Sequence, residues 1–289
     1  LIKGNVKVYA STDPDAIPED VPVAMADISD LKMTIITNDP AKRYYYTLLF
    51  GDKYRVKIAT RNVNIPGIQN FRDLGGYPSY STKKQVRWGM IYRSAEIDSL
   101  ECYSRRELRN LGIKTLIDLR ASSETGRQSP LQKEFNVVHI PLATGDMENI
   151  LKGIREEKIK SDTVYRMVEQ MNRDLIDKYT TEYRQIFDIL LDKNSYPVVI
   201  HCSSGKGRTG IVSALVLAAL GINEDIIMED YRLSNDYFNI PSASKDAYQL
   251  PARSQEAITT LFSAREDFLN AAKEEDRKST RLNSSHHDR

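Results

Sequence analysis

The chain has 289 residues, of which 41 are Lys or Arg and 40 are Asp or Glu, so its formal net charge is +1. This balance excludes a global field that would recruit nucleic acid or an anionic membrane, and attraction for an anionic ligand has to be local. The spacing of Cys102 and Cys202 does not indicate a disulfide, and the four histidines form no metal-ligand pattern, so we expect no metal site. The longest apolar run, Ile211–Leu220, is about half of the ~20 residues that a bilayer requires, so no membrane span is predicted in the visible chain.

Residues 1–62 contain short segments of β type, separated by turn formers such as Ser-Thr-Asp-Pro. Segments of this length and spacing predict a small antiparallel β-sandwich of the immunoglobulin or fibronectin type. Few strands are visible and the chain begins at Leu1, so we expect this β-domain to be truncated. No combination of nucleophile, acid and base occurs in it. The predicted strands are Lys3–Ala10, Leu31–Thr37, Tyr44–Phe50 and Tyr54–Thr60.

From residue 63 to residue 275 the pattern changes to strands that alternate with helices. Apolar strands in such an alternation predict an α/β domain, with a mostly parallel central sheet flanked by helices. The predicted strands are Val86–Arg93 (a strand pair around Gly89), Lys114–Leu119, Asn136–Leu142 and Pro197–His201. The predicted helices are Ser104–Leu111, more than one helix within Asp162–Leu191, and Thr209–Leu220.

The last segment, 276–289, is polar and begins with the letters DRKSTRLNSSH. Its composition predicts a frayed, disordered tail without a packed core. The same letters resemble the translation of a sequencing-library adapter, so we expect a non-native tail. We therefore assign no function to this segment.

The segment His201–Gly210, with the sequence HCSSGKGRTG, places a cysteine and an arginine on either side of five residues, between a buried strand and a helix. A strand end and a helix start direct several backbone N–H groups into one concavity, and the helix dipole adds positive charge there. Arg208 adds two parallel donors for phosphate oxygens. The residues predicted to bind phosphate are Ser203, Ser204, Gly205, Lys206, Gly207, Arg208 and Thr209.

The same surroundings favour chemistry at Cys202. Beside a helix N-terminus and a guanidinium, the pKa of a thiol falls well below its usual value of ~8.5, so the nucleophilic thiolate is present at neutral pH. In-line attack on phosphorus forms a cysteinyl-phosphate, which water then hydrolyses. Thr209 is a candidate donor of a hydrogen bond to the sulfur, and we expect Lys206 to be solvated.

Other interpretations of this loop make different demands on the sequence. A free cysteine is often buried, so Cys202 by itself also fits a structural residue at a strand end. GKGRTG matches the dinucleotide fingerprint G-x-G-x-x-G, but that fold needs a further strand ending in an acid ~20 residues on, and a helical pattern follows here. A Walker A motif is excluded because Gly207, and not Ser or Thr, follows Lys206.

Further segments accompany the loop, in the order NFRDLGGY at Asn70–Tyr77, YRS at 92–94, LGIKTLIDLR at Leu111–Arg120 and EDYRLSNDYF at Glu229–Phe238. Together they resemble the bacterial tyrosine-protein phosphatase family that is related to lipid-like and dual-specificity phosphatases, over residues 63–238. The resemblance implies a cysteine-phosphatase fold, no metal or organic cofactor, and a phosphorylated protein or a phosphoinositide as substrate. It makes Cys202 the nucleophile and Arg208 the phosphate-binding arginine.

The N-terminal strands also resemble the β-domain that precedes such enzymes in secreted or periplasmic proteins of Bacteroidetes. This resemblance implies a chain of the secreted type, located in the periplasm or outside the cell. The signal region that such a location requires is not visible in the sequence.

One position departs from the family pattern, because many members carry Asp immediately before the arginine, where this chain has Gly207. That aspartate is a proposed general acid of the family, and a positioned carboxyl typically contributes about 10²–10⁴-fold to such a reaction. The resemblance favours Asp146 instead, in the turn after the predicted strand HIPL, with ordinary Gly-Asp turn chemistry as its alternative. Asp118 is the other candidate, and an ion pair with Arg120 is its structural alternative.

The sequence therefore predicts a cysteine-dependent phosphatase acting on phosphotyrosine, with phosphoserine, phosphothreonine or phosphoinositides as further substrates. Two alternatives stay open. The first is a phosphate-binding pseudophosphatase that lacks efficient turnover, because Gly207 stands where the family carries an acid. The second is a sulfur transferase, which uses a similar arrangement of strand, cysteine, loop and helix.

Overall fold

The N-terminal part of the molecule is an antiparallel sheet. The computed structural model describes residues 3–37, 39, 42–98, 100–125, 130–244 and 246–287. The first strands are β1 (Asn5–Ser11), β2 (Ala24–Asp27), β3 (Tyr45–Phe50) and β4 (Tyr54–Ala59). They form one sheet in the order β2-β1-β3-β4, in which all neighbours are antiparallel.

One predicted strand of this region is wrong. Leu31–Thr37 belongs to no strand in the structure, although its apolar residues alternate. Ala24–Asp27, which has a weak β pattern, pairs with the start of β1 instead. The reason is that a strand needs hydrogen-bonding partners for its backbone, and apolar alternation alone does not supply them. The described residues form one layer here, and a second layer of the predicted sandwich is not among them.

The two faces of this N-terminal sheet have different surroundings. On one side, Arg43 crosses to the central part of the molecule and binds the Asp73 carboxylate (Nη1 to Oδ2, 2.8 Å) and the Tyr92 hydroxyl (2.8 Å). The opposite face carries apolar and aromatic side chains, because residues two apart in a strand share a face. Its β4 members are 40–49% exposed. The residues on this outer face are Val6, Val8, Tyr46, Leu48, Phe50, Tyr54, Val56 and Ile58.

The centre of the molecule is a second sheet with helices around it. Its strands and a preceding hairpin are β5 (Arg72–Asp73), β6 (Pro78–Ser79), β7 (Lys84–Gln85), β8 (Ile91–Ser94), β9 (Thr115–Asp118), β10 (Asn136–His139) and β11 (Val198–His201). The order of this sheet is β10-β9-β11-β8-β5, and β6 pairs with β7 separately. Strands β10, β9, β11 and β8 are parallel, while β5 pairs antiparallel at the edge. The mostly parallel sheet predicted from the sequence is therefore confirmed.

Helices cover both faces of the central sheet. They are α1 (Cys102–Asn110), α2 (Met147–Arg155), α3 (Ser161–Lys178), α4 (Thr180–Leu191), α5 (Gly207–Ala219), α6 (Glu224–Arg232), α7 (Ser234–Tyr237), α8 (Ile240–Ala243), α9 (Ala252–Phe262) and α10 (Glu266–His287). Consecutive residues of β11 point to opposite faces. Val199 packs with Leu108 of α1, whereas Val198 and Ile200 pack with Val212 of α5. Burial on both faces explains why Val198, Val199 and Ile200 of β11 are all apolar.

The polar C-terminal segment is helical in the structure, which corrects the predicted disorder up to His287. Helix α10 begins at Glu266 and continues through most of segment 276–289. Residues 288 and 289 lie outside the described residues. The non-native origin of this segment stays a prediction.

The register of the parallel strands brings three strand ends together at one edge of the sheet. His201 at the end of β11 lies opposite Ser94 at the end of β8 and Asp118 at the end of β9. Loops that leave these carboxyl ends therefore converge, as they do in other open α/β sheets. The loop from Cys202 to Arg208 begins at the middle of this edge.

Candidate active site

The loop after β11 forms a backbone cradle whose amides point into a cavity. In α5, Gly210 N–H donates to the Lys206 carbonyl (2.8 Å), so the amides before it have no acceptor within the helix and are available to an anion. Gly205 has a φ of +66°, and a Cβ there would lie 2.4 Å from the Ser94 carbonyl. Only glycine fits this position. At Gly207, by contrast, a Cβ would meet nothing within 4 Å, so glycine is not required there by space.

Cys202 is buried at the bottom of this loop, with 1% of its surface exposed. Burial by itself raises the pKa of a thiol, but here the charge of Arg208 and hydrogen bonds from Thr209 and the Gly205 amide outweigh burial and lower the pKa of Cys202. The Thr209 hydroxyl is buried and has no other hydrogen-bond partner among the described residues, so it is available to the Cys202 sulfur. The loop thus favours the thiolate.

Glu124 is a site residue that sequence reasoning missed. Its carboxylate binds both terminal nitrogens of Arg208, at 2.5 and 2.8 Å, and accepts a hydrogen bond from the Ser203 hydroxyl at 2.6 Å. Although burial raises the pKa of this carboxyl, the pairing with Arg208 holds it at about 2. Glu124 follows the carboxyl end of β9, where loops converge, and that position was the available signal for it. The carboxylate is ionised at neutral pH and is therefore no proton donor.

Lys206 is buried rather than solvated, which corrects the expectation from the sequence. Its side chain lies inward with 5% exposure, and Nζ donates to the Leu261 carbonyl at 2.5 Å. Burial lowers the pKa of Lys206 to about 7, and the neighbouring Cys202 opposes that shift. The lysine therefore belongs to the wall of the site.

The structure separates the two predicted acids from the residues that line the cavity. Asp146 is exposed and caps α2 through the Asn149 amide (Oδ1 to N, 3.0 Å). Asp118 pairs with Arg120 at 2.7 Å; burial raises the pKa of Asp118, but hydrogen bonds from Arg120 lower it below its ordinary value. A different carboxyl, Glu96, does line the cavity, and burial together with the charge of Asp98 raises its pKa.

The cavity over Cys202 has a volume of about 350 Å³ and combines the polar cradle with an apolar wall. Helices α2, α3 and α9 and the Phe238 region contribute this wall. A pocket of this size, with a few polar groups among apolar ones, is typical of a small-molecule or side-chain binding site. Within the described ranges, no three His, Cys, Asp or Glu side chains are grouped to hold a metal ion. The apolar wall consists of Met147, Leu151, Val168, Met171, Leu175, Phe238, Leu261 and Phe262.

Behind the loop, donors hold its carbonyl groups on the side away from the cavity. Asn70 Nδ2 donates to the Ser204 carbonyl at 3.0 Å, and Arg93 Nη2 donates to the Gly205 carbonyl at 2.7 Å. Arg93 is held in turn by Asp230, with 2.6 Å between Nη1 and Oδ2. Since the C=O and N–H of one trans peptide point in opposite directions, holding these carbonyls outward turns the N–H groups of the same peptides toward the cavity.

Comparisons with known proteins agree with this geometry. A model of the tyrosine phosphatase family matches residues 63–280. The triple specificity protein phosphatase PtpB of Mycobacterium tuberculosis is 32% identical over 220 residues, covering 68% of this chain and 75% of PtpB. A protein of Cupriavidus necator that is named a putative tyrosine-protein phosphatase is 26% identical over 211 residues, covering 71% of this chain and 75% of that protein.

Among solved structures, the core catalytic domain of the PP-IP phosphatase SIW14 from S. cerevisiae, in complex with citrate, aligns with a TM-score of 0.32. The alignment has 17% sequence identity and covers 64% of this chain and 87% of that domain. At that level of similarity it adds nothing to the assignment, which rests on the family match and the 32% identical relative. The chain belongs to the tyrosine phosphatase family and is a protein-tyrosine phosphatase.

Proposed function

We propose that the protein hydrolyses phosphomonoesters through a cysteinyl-phosphate intermediate, with phosphotyrosine in proteins as the principal substrate. The observation that carries this proposal is the buried Cys202, whose pKa is lowered by Arg208 and by loop amides at the start of α5. A thiolate beneath an anion-binding cradle is positioned for in-line attack on a bound phosphoryl group.

Two displacements make up this reaction. In the first, the Cys202 thiolate attacks phosphorus, a P–S bond forms, and the ester P–O bond breaks as the leaving oxygen takes a proton from an acid. In the second, water attacks phosphorus, the P–S bond breaks, and the thiolate and inorganic phosphate are released. Arg208, which Glu124 already orients, stabilises the charge on the phosphoryl oxygens in both steps.

Trapping the intermediate tests this proposal. When the enzyme reacts with an aryl phosphate that is labelled at phosphorus, rapid quenching should yield a labelled protein. Cys202→Ser should abolish both the labelling of the protein and the turnover. Tight phosphopeptide binding without turnover would support the pseudophosphatase instead. Transfer of sulfur from thiosulfate to an acceptor such as cyanide, with sulfite as the product left behind and no release of phosphate from aryl phosphate, would support the sulfur transferase.

Substrate breadth forms a second part of the proposal. PtpB is named a triple specificity phosphatase, and the cavity of this chain joins the cradle to a long apolar wall. We infer that phosphoserine, phosphothreonine and phosphoinositides are additional, slower substrates. Relative kcat/KM values on matched phosphotyrosine and phosphoserine peptides and on a water-soluble phosphoinositide would measure this breadth, and activity on phosphotyrosine alone would refute it.

We propose Asp146 as the general acid, with Glu96 as the competing carboxyl. Asp146 itself does not line the cavity, but Thr144 and Met147, on either side of Gly145-Asp146, do. Asp146→Asn keeps an N-cap, because Asn caps helices as well as Asp does. If Asp146 is the acid, this variant loses about 10²-fold on an alkyl phosphate and little on p-nitrophenyl phosphate. The same pattern in Glu96→Gln, with full activity in Asp146→Asn, would transfer the role to Glu96.

The variant Gly207→Asp tests whether the enzyme is slow because it lacks an efficient general acid. A Cβ at residue 207 meets no neighbour within 4 Å, and an acidic residue in the first turn of α5 is favourable, so we expect the variant to fold. If the protein lacks an efficient acid, the new carboxyl raises the rate on alkyl phosphates by about tenfold or more. An unchanged or lower rate would indicate that another carboxyl already acts as the general acid.

Two further proposals concern the N-terminal sheet and the location of the protein. We propose that the sheet is one layer of a truncated β-sandwich, since its outer face is apolar across three strands, and that the protein is periplasmic or secreted. None of the described helices is both long and apolar enough to span a bilayer. Fractionation of the native bacterium tests the location, and recovery of the protein from the cytoplasm would refute it.

A further inference from the structure

Asn70, in the NFRDLGGY segment, contacts the cradle from behind without reaching the cavity. Its Nδ2 donates to the Ser204 carbonyl at 3.0 Å, and the residue is 2% exposed. The two residues are 134 positions apart in the chain. None of the chemical steps described above uses Asn70, so its contact with the loop needs an explanation of its own.

The contact with Ser204 fixes the direction of the next amide. The Ser204 carbonyl and the Gly205 N–H belong to one planar trans peptide, in which C=O and N–H point in opposite directions. Because Asn70 holds the carbonyl on the outer side, the Gly205 N–H points inward. That amide is one of the groups whose hydrogen bond lowers the pKa of Cys202. The peptide therefore links Asn70 to the nucleophile.

The amide of Asn70 has a defined orientation. Its Oδ1 accepts from Arg72 Nη1, which leaves Nδ2 for Ser204. Arg72 is anchored to Asp230 by Nε to Oδ1 at 3.2 Å and by Nη2 to the backbone carbonyl at 2.7 Å. Asn70 also has a φ of +56°, a left-handed conformation that Asn tolerates better than most side chains. Its backbone N–H binds the Tyr237 carbonyl at 2.9 Å.

We propose that Asn70 is a positioning residue of the phosphatase reaction, which turns the Ser204–Gly205 peptide so that the Gly205 N–H faces the sulfur of Cys202. It acts through the peptide and does not touch substrate. This inference rests on the proposed role of Cys202 as the nucleophile. Its consequence is that the thiolate loses one of its hydrogen bonds when Asn70 is replaced.

Other charged groups around Cys202 are unchanged by replacement of Asn70. Arg208 and Lys206 come from the loop itself, Glu96 and Glu124 line the same cavity, and Asp118 at the end of β9 acts on Arg208. A change in the pH dependence of Cys202 alkylation in Asn70→Gly therefore reports the lost hydrogen bond. Asn70→Gly also relieves the cost of the left-handed conformation, which offsets part of the destabilisation.

The experiment measures the pH midpoint for alkylation of Cys202 by iodoacetamide, in a Cys102→Ser background because Cys102 is an exposed free thiol. In Asn70→Gly we expect the midpoint to rise by about one pH unit and kcat/KM for p-nitrophenyl phosphate at pH 6 to fall about tenfold. Asn70→Asp is the second variant, because it keeps an acceptor for Arg72 but has no donor for Ser204. It should show a shift of the same direction, to which its added negative charge also contributes, so the effect of the lost hydrogen bond alone is taken from Asn70→Gly.

Asn235→Ala is the matched control. Asn235 also bridges backbone groups, with Nδ2 to the Ala264 carbonyl at 3.0 Å and Oδ1 to the Ala264 amide at 2.7 Å, but it does not line the cavity. An unchanged midpoint in folded Asn70→Gly and Asn70→Asp, or an equal shift in Asn235→Ala, would overturn the inference. A shifted midpoint in a protein whose wild type has no turnover would refute the proposed function and the role of Asn70 in a phosphatase reaction, while it would support the effect of Asn70 on the Cys202 thiol.

Discussion

Two arginine–carboxylate clusters hold the loop from Cys202 to Arg208, one behind it and one in front. Behind the loop, Asp230 pairs with Arg72 and Arg93, and all three side chains are 0–1% exposed. In front, Glu124 pairs with Arg208 in the cavity, where the carboxylate is 25% exposed. The rear cluster is enclosed by protein, whereas the front one opens to the space that a substrate enters.

This difference in access separates their roles. An enclosed pair of charges is costly to break, because the remaining charges are left without water or a partner. The rear cluster therefore has one stable arrangement, and it supports Gly205 through Arg93 and Ser204 through Asn70. The front cluster is open to a ligand, because a guanidinium carries five N–H donors and Arg208 can donate to an anion in the cavity while Glu124 holds it. The rear cluster thus keeps the loop rigid, and the front cluster leaves it accessible from the cavity.

The largest effect is expected from removing the carboxylate of the rear cluster. Asp230→Ala leaves Arg72 and Arg93 buried without their partner, so the free energy of unfolding should fall by about 3–5 kcal/mol. Urea unfolding followed by tryptophan fluorescence measures this loss. A loss below 1 kcal/mol would show that the rear cluster is not the rigid element of the comparison.

An intermediate effect, on activity rather than folding, is expected in the front cluster. Glu124→Gln keeps the shape of the side chain but removes the charge that orients Arg208, so kcat/KM should fall about tenfold. The free energy of unfolding should also fall, but by less than in Asp230→Ala, since water can reach the site. Unchanged kcat/KM, or a loss of stability as large as that of Asp230→Ala, would remove the contrast with Asp230.

The carboxylates of the two clusters should also be protonated at different pH values. The pKa of Glu124 is about 2 in the folded protein, below the ordinary value of ~4.3, so its pairing stabilises the fold fully above about pH 4.3 and loses that contribution as the pH falls toward 2. Burial raises the pKa of Asp230, but Arg72 and Arg93 outweigh it and hold the pKa well below its ordinary range. Asp230 should therefore stay ionised after Glu124 is protonated.

The free energy of unfolding, measured from pH 5 to pH 2 on wild type and Glu124→Gln, tests whether Glu124 is protonated in this range. The difference in stability between the two proteins should shrink across this range. A difference that stays constant down to pH 2 would mean that Glu124 does not titrate as the pairing requires.

The smallest effect is expected from an exposed pair of the same chemistry. Arg232 and Glu266 are 2.9 Å apart, but their side chains are 57% and 55% exposed. Glu266→Gln should change the free energy of unfolding by less than about 1 kcal/mol and leave kcat/KM unchanged. A loss as large as that of Asp230→Ala would show that enclosure is not what distinguishes the clusters.

Sequence reasoning found the parts of the site that are contiguous in the chain. The apolar strand β11, the loop with Cys202 and Arg208, and the start of α5 follow from local patterns, and the structure places them as expected. It failed for Lys206, because the direction of a long side chain depends on α9, which lies about fifty residues later and supplies the Leu261 carbonyl. It also failed for Leu31–Thr37, because local alternation does not specify which segment β1 pairs with.

By itself, the sequence determined which groups lie together in the loop after β11, since the Cys202 thiol, the Arg208 guanidinium and the amides between them follow one another from the end of a strand to the start of a helix. The tertiary structure alone decided what holds that loop. Glu124, Asn70 and Asp230 meet their partners across separations of 84, 134 and 158 residues. Such contacts depend on strand register and helix packing, which many sequence positions set together. Local patterns determine which groups react, and the assembled fold determines how they are oriented.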